Sequence, residues 1–78
     1  MNKDYLYIPL TKEVQLIYIV GLLHEHPNMD DSEIIDNIME LTGHRGFNYN
    51  TDDLILEARN RIKNEKLKNI ILERMYIQ

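Results

Sequence analysis

Residues 14–23, VQLIYIVGLL, form the most continuously hydrophobic stretch of the 78-residue chain. Every position from 16 to 23 is apolar or glycine, which is typical of a buried strand or of a helix buried on most sides. The flanks favour a helix, because Thr11 can cap its N-terminus and Pro27 stops it after His26. We predict a central helix over residues 11–26 that the remaining segments enclose. Gly21 lowers helix stability by about 1 kcal/mol relative to alanine, so we expect a close backbone neighbour or a kink there.

A second helix is predicted over residues 31–42. Asp30 stands three positions before Glu33, which is a carboxylate version of the capping box. Gly43 is placed to end this helix in a left-handed conformation. Apolar and acidic residues separate onto two sides of the helix. The inward stripe consists of Ile34, Ile38 and Leu41, and the opposite side carries Asp36 and Glu40.

A third helix is predicted to begin near Asn50 or Thr51, either of which can cap it. Its first apolar cluster, around Leu54 and Ala58, projects to one side, and the cluster that follows residue 66 projects to the opposite side. A break at residues 63–66 would separate helices over 51–63 and 66–76. The alternative is one long helix whose second half packs against another subunit. With residues 1–10 as an extended arm, the sequence predicts an all-α domain of three or four helices around the central one.

Composition indicates a single globular domain. The apolar share is 44% and the charged share 28%, which are ordinary values for a folded chain. Because there is no cysteine, disulfides and thiolate metal sites are excluded. No segment approaches the roughly 20 apolar residues that span a bilayer, and the N-terminus lacks the features of a signal peptide. We therefore expect a cytoplasmic protein without a membrane segment.

Residues that could carry catalysis or bind a metal do not form a recognisable pattern. His24 and His26 are two apart, so a helix would direct them to different sides, and His44 lies in a predicted loop without a partner motif. Ser32 is the only serine, and no base or phosphate-binding glycine loop accompanies it. We expect no catalytic residue, no metal, no cofactor and no enzymatic activity.

Charge is distributed unevenly along the chain, whose net charge is −4. Residues 25–40 contain six acids and no lysine or arginine, whereas residues 59–68 contain five basic residues and one acid. Such a distribution steers charged partners towards one face. Between these blocks, the loop GHRGFNYN at 43–50 carries Phe47 and Tyr49, which either anchor the loop or contact a partner.

Two segments, IVGLLHEHPNMDDSEIIDNIM at 19–39 and NTDDLILEARNRI at 50–62, together resemble the trihelical core of helix-turn-helix and winged-helix regulators. The resemblance implies that the helix after residue 50 enters the major groove. Two features depart from the pattern. Asp52 and Asp53 occupy the helix end that would approach phosphates. The turn between the second and third helices is also long and glycine-rich, and no clear wing hairpin follows.

The leading functional hypothesis is a small regulatory, adaptor or inhibitor protein that binds another protein and forms a homodimer. Abundant asparagine, isoleucine and lysine suggest a phage or mobile-element origin. The alternative is a dimeric helix-turn-helix transcriptional regulator that binds DNA. Candidate protein-binding residues are Asp36, Glu40, Phe47, Tyr49, Met75 and Tyr76, and candidate nucleic-acid-binding residues are Arg45, Arg59, Arg61 and Lys63.

Overall fold

The computed structural model describes residues 11–77 and the side chains of residues 11–76. In this range the chain contains three helices and no strand: α1 (Lys12–Glu25), α2 (Asp31–Leu41) and α3 (Thr51–Ile77). The predicted all-α fold is therefore confirmed for the described residues. The extended arm predicted for residues 1–10 lies outside them.

Side-chain caps fix where each helix begins. The Thr11 hydroxyl accepts a hydrogen bond from the Val14 amide at 3.3 Å, as predicted for α1. At α2 the predicted capping box is present, with Asp30 Oδ1 accepting from the Glu33 amide at 2.9 Å and Glu33 Oε1 accepting from the Asp30 amide at 3.1 Å. Of the two candidate caps for α3, Asn50 is the one used, since its Oδ1 accepts from the Asp53 amide at 3.0 Å. Each cap satisfies an amide that has no partner inside its helix.

The turn after α2 contains three residues in the left-handed region of backbone space. Gly43 has φ 64°, as predicted for the helix end, and Gly46 has φ 77°. His44, between them, has φ 70° despite carrying a side chain. The Thr42 hydroxyl accepts from the Gly46 amide at 2.8 Å and donates to the Ile38 carbonyl at 2.7 Å, which ties the turn to the last turn of α2.

The hydrophobic core lies where α1 and α2 meet the first half of α3. Helix α1 runs along α3 and forms the larger of the two interfaces with it. Ile19, Ile34 and Ala58, one from each helix, are each completely buried. The full set of buried apolar residues is Leu16, Ile19, Leu23, Ile34, Ile38, Leu54, Ile55 and Ala58.

Helix α1 is buried on one side only, so the prediction that it is enclosed on nearly all sides is not met in the single chain. Ile19 is completely buried, whereas Ile17, two positions earlier, is 55% exposed. Gly21 is also exposed, and a Cβ built on it meets no atom within 4 Å in the described part of the chain. The close backbone approach expected at Gly21 is therefore absent from residues 11–76. The apolar run at residues 16–23 therefore contains side chains from both the buried and the exposed sides of α1.

Replacing Gly21 by alanine is expected to raise the free energy of unfolding by about 1 kcal/mol, because alanine favours helix and the site has space for its methyl group. Urea denaturation of the two proteins measures the difference. Gly46→Ala is the matched control and is expected to destabilise by about 1 kcal/mol, since its φ of 77° disfavours a Cβ. A loss of stability in Gly21→Ala would contradict the open environment of this position.

Helix α3 is continuous from Thr51 to Ile77, so the predicted division into helices 51–63 and 66–76 is wrong. The single long helix of the alternative is observed, and the packing of its second half against another subunit stays a prediction. Residues 63–66 are Lys-Asn-Glu-Lys, which include three good helix formers and no glycine or proline to end the helix. The break was inferred on the assumption that one chain buries both apolar clusters. At 1.5 Å per residue, α3 is about 40 Å long and α1 about 21 Å. The second half of α3 therefore extends beyond the helices that cover its first half.

Candidate protein-binding surface

The second half of α3 exposes a set of large apolar side chains. Every residue from 63 to 76 is exposed in the single chain. Met75 is 65% and Tyr76 87% exposed, so these two predicted binding residues are accessible. The other exposed apolar residues of this segment are Leu67, Ile70, Ile71 and Leu72. Apolar side chains at this density on a solvated helix mark an interaction site more often than a free surface.

Helical geometry divides these side chains between two sides of α3. At about 100° per residue, four of them fall within an arc of about 140°, on the side opposite to the buried Leu54 and Ala58. Leu72 and Tyr76 fall on the same side as that buried pair. We call the four-residue set the C-terminal apolar surface; its members are Leu67, Ile70, Ile71 and Met75. Its i, i+3, i+4, i+8 spacing is that of a helix face that packs against another helix.

The acidic residues and the loop aromatics predicted to bind protein lie elsewhere. Asp36 and Glu40 are exposed on α2. Phe47 is partly buried, and its ring meets that of Tyr18 edge-on, with centroids 6.0 Å apart and planes at 85°. This packing is the anchoring alternative for Phe47, whereas Tyr49 is 42% exposed and available to a partner. The structure therefore does not gather the six predicted residues into one site.

Tyr18 is expected to ionise above its usual pKa of 10.0, because burial disfavours the phenolate and the nearby Glu40 carboxylate raises its pKa further. A raised folded-state pKa contributes stability that is complete below the unfolded pKa and is lost as the pH rises through the folded value. Phenolate absorbance measured against pH should therefore lose a component that ionises above pH 10.0 in Tyr18→Phe. If the variant instead lost a component at or below pH 10.0, the partial burial of the Tyr18 hydroxyl would be contradicted.

Two of the four residues proposed to contact nucleic acid are engaged in ion pairs. Arg61 donates to both carboxylate oxygens of Glu13, at 2.8 and 3.4 Å, and this contact lowers the pKa of Glu13 and raises that of Arg61. Arg59 donates to Asp31 Oδ1 at 2.6 Å. Arg45 and Lys63 are exposed, without an ion pair to any residue in the described range. The four residues do not act as one free basic patch, because two of them join α3 to α1 and α2.

A groove of about 500 Å³ lies beside the C-terminal apolar surface, between the end of α1 and the middle of α3. Its apolar lining includes Leu23 and Ile62, together with Leu67 and Ile70 of the C-terminal apolar surface. The sequence did not predict this groove, because it forms only where α3 continues past the end of α1. The sequence feature that could have indicated it is the apolar cluster after residue 66, for which the sequence offered no segment of the same chain to pack against.

Gln15 is a buried polar residue that the sequence placed within the hydrophobic run. It is completely buried, and its Nε2 donates to Asn48 Oδ1, which holds the α2–α3 loop against α1. Its Oε1 is buried without a hydrogen-bond partner in the described range. A buried carbonyl without a hydrogen bond lowers the free energy of unfolding by about 1–3 kcal/mol. The Gln15 side chain therefore positions the loop through Asn48 and destabilises the fold through its unpaired Oε1.

The described residues contain no group of three or more histidine, aspartate or glutamate side chains placed to hold a metal. The His24 Nε2 atom lies 3.8 Å from a Glu65 carboxylate oxygen, a contact that joins α1 to α3. Among the helices of residues 12–77, none is long and apolar enough to cross a membrane. The chemistry visible in this part of the chain is that of apolar and charged surfaces.

Known proteins do not guide the assignment of a function, because no protein-family model, no curated protein and no solved structure matches this chain.

Proposed function

We propose that this chain is a small, non-enzymatic cytoplasmic protein that regulates or inhibits another protein, or links it to others, by binding it through the second half of α3. The observation that supports this proposal is that six large apolar side chains between residues 67 and 76 are exposed on one helix. Burial of apolar area is the main favourable term in most protein association. These six apolar residues therefore lie in a segment that is outside the hydrophobic core of the single chain.

The unsupported length of α3 is the second argument for a partner. Residues 63–76 are a helical segment of about four turns, and isolated helices of that length are marginal in water. Packing against another chain would stabilise the segment and cover Leu67, Ile71 and Met75 at the same time. A helix that gains stability on binding is a common form of recognition, in which spaced apolar anchors enter a groove.

We also propose that two copies of the chain associate through the side of the C-terminal apolar surface that carries Ile71 and Met75, each packed against the same residues of the other copy. A stable interface buries roughly 800 Å² from each partner, which is a large demand on so small a domain. Six of the nine exposed large apolar side chains of the described residues lie in the second half of α3, which can therefore supply the centre of such an interface. A two-fold axis would place the same residues on both sides of the contact.

Nucleic-acid binding is the weaker proposal on these observations. Asp52 and Asp53 are exposed at the start of α3, and Arg59 and Arg61 are neutralised by Asp31 and Glu13. A DNA-binding domain would present free cations to the phosphates, and its affinity would fall steeply with salt. The hypothesis of a protein-binding regulator explains the exposed apolar residues, which a DNA contact would leave uncovered.

Photo-cross-linking in the cells that produce the protein tests the proposed function. A photoreactive phenylalanine analogue is placed at Ile71, which is 57% exposed, and as a matched control at Leu56, which is 61% exposed on the same helix. We expect discrete cross-linked protein from position 71 and none from position 56. A product of twice the chain mass identifies a second copy, and a larger or smaller product identifies another protein. Equal products from both positions, or none from position 71, would overturn the proposal.

A further inference from the structure

The groove between α1 and α3 combines an apolar lining with a basic rim. Its apolar residues come from the end of α1, from the following turn and from α3: Leu23, Pro27, Ile62, Leu67 and Ile70. Three cations of α3, Arg59, Lys63 and Lys66, also line it, with His24 at the end of α1. These cations stand one or two helical turns apart along α3, so they form a row beside the apolar residues.

The charges of this rim are only partly compensated within the described residues. Arg59 is held by Asp31 and by the Met29 carbonyl, at 2.6 and 3.2 Å. Glu65, which contacts His24, is outside the groove lining. Lys63 and Lys66 are exposed and have no ion pair in residues 11–76. The groove is therefore lined by cations and apolar groups, with no carboxylate among the residues that form it.

We propose that this groove binds an acidic amphipathic helix of another protein, whose apolar side chains contact Leu23, Ile62 and Ile70 and whose carboxylates pair with Lys63 and Lys66. The inference rests on the proposed protein-binding function and names the chemistry of the partner. Apolar contacts supply the affinity of a helix in a groove, and charge complementarity sets its orientation and excludes basic competitors.

A second copy of the chain fits this groove less well than a separate partner. Helix α2 is the acidic amphipathic helix of this protein, but its apolar residues Ile34 and Ile38 are 0% and 1% exposed, because they form the core. The face that α2 presents to solvent offers Asp36 and Glu40 without that apolar stripe. Residues 63–76 of α3 carry four basic residues and only two glutamates, so they do not form an acidic helix. The groove also points away from Ile71 and Met75 around the α3 axis, so self-association through those two residues leaves it open.

A pair of synthetic helices tests the inference on the full chain. The first probe is a fluorescein-labelled 18-residue peptide with leucine at i, i+3, i+4 and i+7 spacing and glutamate on both flanks; the second has the same leucines and lysine flanks. Fluorescence anisotropy at low and moderate salt should show that the glutamate peptide binds at least about 10-fold more tightly than the lysine peptide. Equal affinities of the two peptides would overturn the inference, because the groove would then be selecting for apolar character alone.

Charge reversal locates the binding site. The double variant Lys63→Glu with Lys66→Glu should weaken binding of the glutamate peptide at least about 10-fold and favour the lysine peptide. Lys68→Glu is the matched control, since Lys68 is exposed on α3 outside the groove lining, and it should change the affinity less than about 2-fold. Circular dichroism of the three proteins verifies that they keep the same helix content. Unchanged binding by the double variant, or an equal loss in Lys68→Glu, would contradict the assignment.

The two proposals fail separately. If the analogue at Ile71 cross-links a protein while neither peptide prefers the groove as described, the partner chemistry is wrong and the binding function stands. If the glutamate peptide binds as expected and position 71 cross-links nothing, the groove is a binding site and the side of α3 that carries Ile71 is not.

Discussion

Replacing Ile19 by alanine is expected to lower the free energy of unfolding by about 2–5 kcal/mol. Ile19 is completely buried at the centre of the contact between α1 and the first half of α3, so truncating it removes apolar contacts and leaves a cavity. A domain of this size has a total stability of roughly 4–12 kcal/mol. The variant is therefore expected to lose a large share of its stability and to unfold at a clearly lower urea concentration, which urea denaturation followed by circular dichroism will measure.

Ile17→Ala is the matched control for this prediction. It makes the same chemical change two positions earlier in α1, where the side chain is 55% exposed, and it is expected to alter stability by no more than about 0.5 kcal/mol. Similar losses in the two variants would show that α1 is covered on both sides in solution. That result would support the enclosed central helix predicted from sequence and contradict the one-sided burial seen in the single chain.

Placing glutamate at both Ile71 and Met75 is expected to weaken self-association at least about 100-fold, because each charge would have to be buried at the centre of the proposed interface. The monomer should keep its fold, since both positions are exposed and belong to no described core contact. Sedimentation velocity over a range of concentrations measures the association, and circular dichroism verifies the helix content.

Leu56→Glu separates this effect from a general loss of surface hydrophobicity. Leu56 is 61% exposed on the same helix, 15 residues before Ile71, and its replacement should leave self-association within about 2-fold of the original. A monomeric protein that sediments identically in all three forms would rule out self-association through α3. Equal weakening by Leu56→Glu would place the interface on the first half of the helix.

Local signals in the sequence predicted the starts of the helices well. Thr11, the Asp30–Glu33 pair and Asn50 each bond to an amide of their own first turn, so a few adjacent residues determine each helix start. Gly43 marks the end of α2 for the same reason, since its left-handed φ is a property of one residue. The buried stripe of α2, Ile34 and Ile38, also follows from spacing alone.

Local sequence signals did not predict the features that depend on contacts between distant residues or between chains. The apolar cluster after residue 66 was assigned to a separate helix because a folded chain was assumed to bury it. Local propensity in Lys63–Asn64–Glu65–Lys66 favours continuation, and the structure follows that propensity at the cost of exposing the cluster. The burial of Gln15 and the packing of Phe47 on Tyr18 likewise depend on contacts between distant residues.

Hydrogen exchange along α3 tests most directly the claim that another chain covers its second half. Amide exchange is measured by mass spectrometry for the protein at high concentration and for the Ile71→Glu, Met75→Glu variant as a monomer. Residues 54–62 should exchange slowly in both samples, because this segment of α3 carries the core residues Leu54, Ile55 and Ala58. Residues 64–76 should exchange slowly only in the associated protein, since an uncovered helix of this length opens readily. Slow exchange of residues 64–76 in the monomeric variant, or fast exchange of these residues in the concentrated protein, would contradict coverage of this segment by a second copy of the chain.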